Sequence, residues 1–256
     1  MEKGVYILAD DGAAAIQVQR LGTGGNKLLA VTNVPDLKLL MACGSRHRFG
    51  RGHVLSRAHQ PADAAYFVEQ GIASVVKAEA GERRAEICLV GHEGFTGSAI
   101  VQADGRWPYE TFVQSDHLVA FRVDAADFKA LVERSAGFRG TVLNAIHVQT
   151  VQIAENLVSA TLQRTSVRLA RWLLMFYDRM CSHHLDLTHE FMAMMIGAQR
   201  TKVTEALHDL EATGAISAGR GHIIIRDTDI LEGLADGTYG CAERETGRLY
   251  SGDPRG

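Results

Sequence analysis

Hydrophobic and polar positions follow two different periods along the chain, and the change between them divides the sequence. From about residue 45 to residue 123, short runs of alternating apolar and polar residues are interrupted by glycines, as in AAYFVEQGIASVVKAEAGERRAEICLVGHEGF. Turn signals at such short and regular spacing predict an antiparallel β-sandwich or β-roll. Within it, the runs IASVVKAE and RRAEICLV predict a hairpin that turns around Ala80-Gly81-Glu82.

The residues before this region carry weaker signals. Gly4–Ala9 is compatible with a strand, and PDLKLLM at residues 35–41 predicts a short helix. Residues 1–26 are therefore expected to form a loosely attached extension, and residues 27–135 to form the β-roll domain.

The pattern becomes helical after Val123. Asp124 is a predicted N-cap for AADFKALVE, and residues 136–163 predict one long helix. In that helix, residues at spacings of three and four form a seam, namely Leu143, Ile146, Thr150, Ile153, Leu157 and Ala160. Such a seam predicts a coiled-coil-like dimer interface. Packing of the helix on its own domain fits the same periodicity equally well.

A further domain is predicted over residues 164–240, followed by a polar tail over residues 241–256. It begins with the amphipathic helix TSVRLARWLLMFYDRM and a loop or short strand, SHHLDL. Thr188 then caps a short helix, HEFMAMMI, and a second helix over about 199–212 ends at Gly214. AISAGRGHIIIRD predicts a hairpin with its turn at Gly219-Arg220-Gly221, and TDILEGLA predicts a last short helix.

Two short helices followed by a β-hairpin are typical of a winged helix-turn-helix. In the second helix, Val203, Leu207 and Leu210 fall on one side and are expected to pack on the first helix. The opposite side carries hydrogen-bonding groups suited to DNA. Arg200 can contact guanine O6 and N7, and Glu205 can accept from a cytosine amino group. The other candidate contacts, to bases, phosphates or the minor groove, are Thr188, Gln199, Thr201, Lys202, Arg220 and His222.

The charge of the chain neither supports nor excludes this interpretation. The 256 residues carry a formal net charge of −3, and their composition of 46% hydrophobic and 22% charged residues is ordinary for a soluble globular protein. Residues 187–226 are neutral, so DNA binding has to depend on where the basic groups lie. The alternative for this segment is a helical hairpin with a solvated polar face.

Other classes of protein find little support in the sequence. The four cysteines are far apart and form no CxxC pair, so neither a metal site nor a cofactor is predicted. We find no nucleophile-elbow motif and no metal-spaced His/Glu set, which argues against an enzyme. No stretch is apolar enough to span a membrane and no secretion signal is evident, so a cytoplasmic protein is expected.

The order of roll, long helix and winged helix resembles the Crp/Fnr transcription regulators. The likeness runs from about Pro35 to Gly240. It implies an α+β fold with a jelly-roll β-roll of the cyclic-nucleotide-binding type, a dimerisation helix and a C-terminal winged helix-turn-helix. It also implies a bacterial homodimer that binds inverted-repeat double-stranded DNA, responds to an unknown small-molecule effector and has RNA polymerase as a further partner.

The resemblance assigns roles in the second helix. Arg200 takes the position of the guanine-reading arginine, and Gln199 and Lys202 take phosphate-contacting positions. Thr201 and Glu205 replace the usual Glu and Arg of the family, so the operator is expected to differ from the prototype's.

The same comparison fails at the effector pocket, whose candidate residues are Gly97, Ser98, Arg106 and Ile153. Cyclic-nucleotide binders place a Glu after their GDFxG motif, whereas EGFTGS offers Ser98 there. Arg106 is near the place of the phosphate-binding Arg, but Trp107-Pro108 changes the backbone around it. We therefore expect neither cyclic AMP nor cyclic GMP to bind tightly. The competing hypothesis is a small-molecule-binding module whose winged domain mediates protein contacts.

Overall fold

The computed structural model describes residues 25–78 and 84–251. The expected strand Gly4–Ala9, most of the expected extension and the turn at Ala80-Gly81-Glu82 lie outside these ranges. Asn26, the last residue of that extension, is buried and caps the first helix by accepting a hydrogen bond from Leu29 N.

The N-terminal half is the antiparallel roll that the alternating pattern predicts. Its strands pair in two four-stranded sheets, ordered β1-β8-β3-β6 and β2-β7-β4-β5. The elements are α1 (Lys27–Val31), α2 (Val34–Cys43), β1 (Gly44–Gly50), β2 (Val54–Ser56), β3 (Ala64–Gln70), β4 (Ala73–Ala78), β5 (Arg84–Val90), β6 (Phe95–Thr96), α3 (Ala99–Gln102), β7 (Glu110–Val113), β8 (His117–Asp124) and α4 (Ala125–Arg134).

Two cores stabilise the roll, one on each side of the first sheet. Alternate residues of β3 point to opposite faces, so Tyr66 and Val68 pack between the sheets while Phe67 packs against the helices. Phe67 meets Phe95, Phe128 and Phe138 with ring centroids no more than 6.5 Å apart. The roll is therefore fastened to the helices that follow it by an aromatic cluster.

A single long helix, α5 (Ala136–Leu162), connects the roll to the C-terminal domain. Ser135 caps its start by accepting from Phe138 N. Asp124, the predicted cap of α4, does stand at the N-cap position, but its carboxylate binds Arg122 at 2.5 Å and not the helix.

The C-terminal domain has the predicted winged helix-turn-helix order, and we call residues 164–240 the winged domain. Its sheet is ordered β10-β11-β9. Gly214 follows the second short helix with a φ of +82°, the left-handed conformation that glycine adopts without strain. The elements are α6 (Thr165–Met180), β9 (His184–Leu185), α7 (His189–Met195), α8 (Arg200–Ala212), β10 (Ile216–Gly219), β11 (His222–Ile225) and α9 (Thr228–Leu234).

The expected polar tail is instead a helix over most of its length, α10 (Cys241–Tyr250). Its apolar side is small, so the sequence of this segment gives little sign of a packed helix. Ala242 is buried, and the Tyr250 hydroxyl donates to the Glu93 carbonyl of the roll at 2.9 Å. His147 of α5 contacts Glu245 at 2.9 Å. Helix α10 thus returns the chain from the winged domain to α5 and the roll. Within the described ranges, no helix is both long and apolar enough to cross a bilayer.

Candidate nucleic-acid interface and effector cavity

Helices α7 and α8 are held at a fixed angle by contacts around the turn between them. The Thr188 hydroxyl accepts from Phe191 N at 3.1 Å, so the predicted cap of α7 is confirmed. The Arg168 guanidinium of α6 donates to the carbonyl of Ile196, where α7 ends. His189 and Thr204 are joined at 3.0 Å from one helix to the other. The start of α8 is therefore rigidly positioned.

Helix α8 divides into a buried and an exposed side as its pattern predicts. Val203, Ala206, Leu207 and Leu210 are buried in one core with Met192 and Met195 of α7. The predicted DNA-contacting side chains are exposed at the N-terminal end, namely Gln199, Arg200, Thr201, Lys202 and Glu205.

The first turn of α8 has the features of an anion-binding helix end. Gln199 is the N-cap residue, but its side chain makes no capping hydrogen bond, and the turn contains no acidic residue. Its backbone N–H groups are therefore available to a phosphate. Lys202 is paired with Glu205 at 2.7 Å, and both side chains are exposed. Such a surface pair is worth less than about 1 kcal/mol, so another anion could replace Glu205 as the partner of Lys202 at little cost.

The wing, which is the hairpin of β10 and β11, carries two candidate DNA-contacting residues. One is exposed, and the other already contacts another ring. Gly219 pairs with His222, so the two-residue turn consists of Arg220 and Gly221, and the Arg220 side chain is exposed. The His222 ring stacks on the ring of His184, with centroids 5.0 Å apart and planes at 17°. Of the two wing residues predicted to reach DNA, Arg220 is thus the better presented.

The long helix has one face on the roll and another in solvent, and the residues of its predicted seam divide between these two faces. Leu143, Thr150, Leu157 and Ala160 are exposed, and we call these four residues the α5 stripe. Leu157 is 68% exposed. Ile146 and Ile153, predicted for the same seam, are half-buried against the roll.

The inner face of α5 is held to the edge strand β5 by side-chain amides. Gln152 accepts from Leu89 N at 2.7 Å, and Asn156 donates to the Ile87 carbonyl at 2.8 Å. These bonds satisfy backbone groups that an edge strand would otherwise expose. The helix is thus joined to a strand that also borders a cavity of the roll.

A cavity of about 60 Å³ lies between the two sheets and α5, and we call it the roll cavity. Three of the four candidate effector-pocket residues, Gly97, Ser98 and Ile153, line it together with Trp107. Arg106 does not. Its guanidinium lies on the surface, where Nε is 3.5 Å from a carboxylate oxygen of Asp104.

No charged side chain lines the roll cavity among the residues that the structure describes. Its polar groups are hydroxyls and amides, including those of Ser98, Thr111 and Gln149. Burial raises the pKa of the Cys88 thiol in its wall to about 12, so this thiol stays neutral. In the described ranges, no group of three His, Cys, Asp or Glu side chains is arranged to hold a metal ion.

The winged domain is docked on the roll of the same chain by a second set of contacts, which the sequence did not reveal. Ile72 and Leu89 of the roll belong to the same core as α6. Arg179 of α6 is paired with Glu93 at 2.8 Å, and both are nearly buried. Burial would raise the pKa of Glu93, but the positive charge of Arg179 lowers it below its ordinary value. The partners are 86 residues apart, and no local pattern marks such a pair.

Comparison with known proteins agrees with this architecture. The family described as cyclic nucleotide-binding domain matches residues 46–135, and the family described as Crp-like helix-turn-helix domain matches residues 167–234. Together they span more than half of the 256 residues. No curated protein is significantly similar to the chain in sequence.

Several solved structures share the whole architecture. A protein from Eubacterium rectale described as a transcriptional regulator of the Crp/Fnr family is 17% identical, with a TM-score of 0.65 over 82% of this chain and 97% of that chain. FixK2 from Bradyrhizobium japonicum is 14% identical, with a TM-score of 0.64 over 75% of this chain and 96% of that one.

A CRP-family transcriptional regulator from Thermus thermophilus is 19% identical, with a TM-score of 0.63 over 74% of this chain and 96% of that one. Identities this low establish the fold alone. The two matched sequence families are what identify the protein family. Because a cyclic-nucleotide-binding-type roll and a Crp-like helix-turn-helix occur in this order in one polypeptide, the chain belongs to the Crp/Fnr family of DNA-binding transcription regulators.

Proposed function

We propose that this regulator is a homodimer that reads an inverted repeat of double-stranded DNA with the N-terminal end of α8. The observation that carries the proposal is the exposed first turn of α8, where Gln199, Arg200 and Lys202 project from a helix whose other side is fixed in the core. A guanidinium held in this way suits bidentate contact with guanine in the major groove. The uncapped N–H groups beside it suit a phosphate.

The α5 stripe supports the homodimeric part of the proposal. Exposed leucines on one face of a long helix form an apolar surface of the kind that a partner covers, and a second copy offers the same surface by symmetry. Two copies joined along α5 would present two α8 helices about one DNA turn apart, or ~34 Å. RNA polymerase as a further partner and a cytoplasmic location belong to the same proposal.

The effector is proposed to enter the roll cavity and to be small and uncharged. A cyclic phosphate placed there would be buried without a cation, because Arg106 is paired with Asp104 outside the cavity. An unpaired buried charge costs several kcal/mol. Titration calorimetry with cyclic AMP and cyclic GMP is therefore expected to show no tight binding. Low-micromolar affinity for either nucleotide would overturn this part.

DNA reading is tested by selecting genomic fragments with the purified protein and then comparing variants on the selected site. Arg200→Ala should weaken binding by ~1–3 kcal/mol, which is about 5- to 150-fold, and should relax the sequence preference. Arg48→Ala is the matched control, since Arg48 is an exposed arginine of the roll on β1. It removes the same charge and should leave affinity unchanged.

Two outcomes would contradict the proposal. If Arg200→Ala retains wild-type affinity, the winged domain serves protein contacts and the competing hypothesis holds. If the selected fragments lack twofold symmetry, the protein does not read DNA as a symmetric dimer.

A further inference from the structure

A carboxyl group lies at the junction between the roll and the winged domain. Glu86 of β5 accepts from the Trp172 indole of α6 at 2.8 Å through Oε1. Its other oxygen, Oε2, accepts from Ser74 Oγ at 2.9 Å and from Gln114 Nε2 at 3.2 Å. Ser74, Gln114 and Trp172 are all buried. Within the described ranges, no Lys, Arg or His forms an ion pair with Glu86, so this carboxyl differs from that of Glu93.

The partners of Oε2 can serve Glu86 in either protonation state. Gln114 Oε1 is a buried oxygen that receives no hydrogen bond from any described residue. The amide is therefore oriented by its donation from Nε2 to Glu86 and not by any hydrogen bond to Oε1. Its NH₂ group can donate to an ionised Glu86, and after rotation its oxygen can accept from a protonated one. The Ser74 hydroxyl is likewise both donor and acceptor. Trp172 can only donate, so it hydrogen-bonds the other carboxyl oxygen, Oε1, in both states.

The surroundings bring the two protonation states close in free energy. Burial raises the pKa of Glu86 from 4.5 to about 7, although the hydrogen bonds from Trp172, Ser74 and Gln114 and the charge of Arg179 oppose this rise. Cys88 on its own strand and Arg171 on α6 also interact electrostatically with Glu86. Near neutral pH, the docked arrangement therefore holds Glu86 in both forms.

We propose that a proton on Glu86 controls how firmly the winged domain is docked on the roll, with the neutral acid favouring the docked arrangement and the carboxylate loosening it. Undocking removes α6 from Glu86 and returns the carboxyl to water, where it ionises more easily. The hydrogen bond from the Trp172 indole to Glu86 is the contact through which the protonation state affects the docking of the winged domain.

The direction and size of the effect follow from linkage. Because the docked pKa lies above the hydrated one, the stabilisation is complete below about pH 4.5 and is lost as the pH rises through about 7. Between pH 6.0 and pH 7.5, the docking equilibrium should weaken about eightfold. The regulatory meaning of this change depends on the proposed DNA-binding function, whereas the coupling itself does not.

Hydrogen exchange of the Trp172 indole tests the coupling directly, since exchange of a buried N–H reports the opening equilibrium even when the open state is rare. The chain has two tryptophans, and Trp107→Phe assigns their signals. After correction for intrinsic rates, the protection factor of Trp172 should fall about eightfold between pH 6.0 and pH 7.5. A backbone amide within the winged-domain core, such as that of Val203, should keep its protection.

Glu86→Gln is the matched variant, since glutamine has the shape of the neutral acid and can donate to Gln114 Oε1. Its Trp172 protection should be independent of pH. The proposal is overturned if the variant keeps the wild-type pH dependence, or if wild-type protection does not change. Operator affinity measured at both pH values separates the two proposals, because loss of all DNA binding contradicts the proposed function and leaves the exchange result intact.

Discussion

Truncation of Leu157 to alanine tests whether α5 is the dimer interface. Leu157 is 68% exposed in the single chain, so its side chain contributes little to the stability of the monomer and has most of its surface left to bury in an interface. Full burial of a leucine side chain is worth ~1.5–3 kcal/mol. Burying the exposed two thirds should therefore contribute ~1–2 kcal/mol in each chain.

Symmetry doubles this contribution, because each chain of a twofold dimer supplies its own Leu157. Leu157→Ala should weaken association by ~2–4 kcal/mol, which raises the dimer dissociation constant roughly 30- to 1,000-fold. The stability of the monomer should change by less than about 0.5 kcal/mol, because truncating an exposed side chain leaves no cavity.

Sedimentation equilibrium over a concentration series measures the association constant against the monomer mass of 27.8 kDa. Ile230→Ala provides the control, since Ile230 is 40% exposed on α9 and lies outside the α5 stripe. The reasoning is refuted if Leu157→Ala associates as tightly as the wild type. It is equally refuted if Ile230→Ala weakens association to the same extent.

Three further predictions concern stability, each measured by urea denaturation. Gly71→Ala should cost well over ~1 kcal/mol, because a Cβ there would lie 2.2 Å from a backbone carbonyl oxygen, whereas Gly105→Ala, with a similar positive φ and open space, should cost only the backbone strain. Arg179→Met should cost ~3–5 kcal/mol near neutral pH by leaving Glu93 unpaired. That cost should shrink as the pH falls below 4.5, since the depressed pKa of Glu93 contributes stability only above that range. Thr188→Ala should cost ~1 kcal/mol through loss of the α7 cap, and Thr188→Ser should restore most of it.

The winged domain could be predicted from the sequence because its signals are local. The Thr188 cap acts on a residue three positions away, and Gly214 ends α8 through its own backbone conformation. The Arg220-Gly221 turn joins two strands that are adjacent in sequence. Each signal is complete within one turn or one hairpin, so no knowledge of distant partners is needed.

The contacts that join the domains could not be predicted, because their partners are far apart in sequence. Glu86 meets Ser74, Gln114 and Trp172 at separations of 12, 28 and 86 residues. Arg106 shows the opposite case, since the resemblance placed it near the effector pocket whereas its side chain pairs with Asp104 on the surface. For α5, periodicity predicted one seam but could not tell that Ile146 and Ile153 turn toward the roll.

The return of α10 to the roll has a mechanical consequence. If the winged domain were attached only through its connection to α5, it could rotate in any direction once it left the roll. The other end of the winged domain is attached as well, because α10 follows it and contacts the roll through Tyr250 and α5 through Glu245. Once the winged domain leaves the roll, these two attachments would restrict it to rotation about the line between them, so we expect α8 and the β10–β11 hairpin to tilt together.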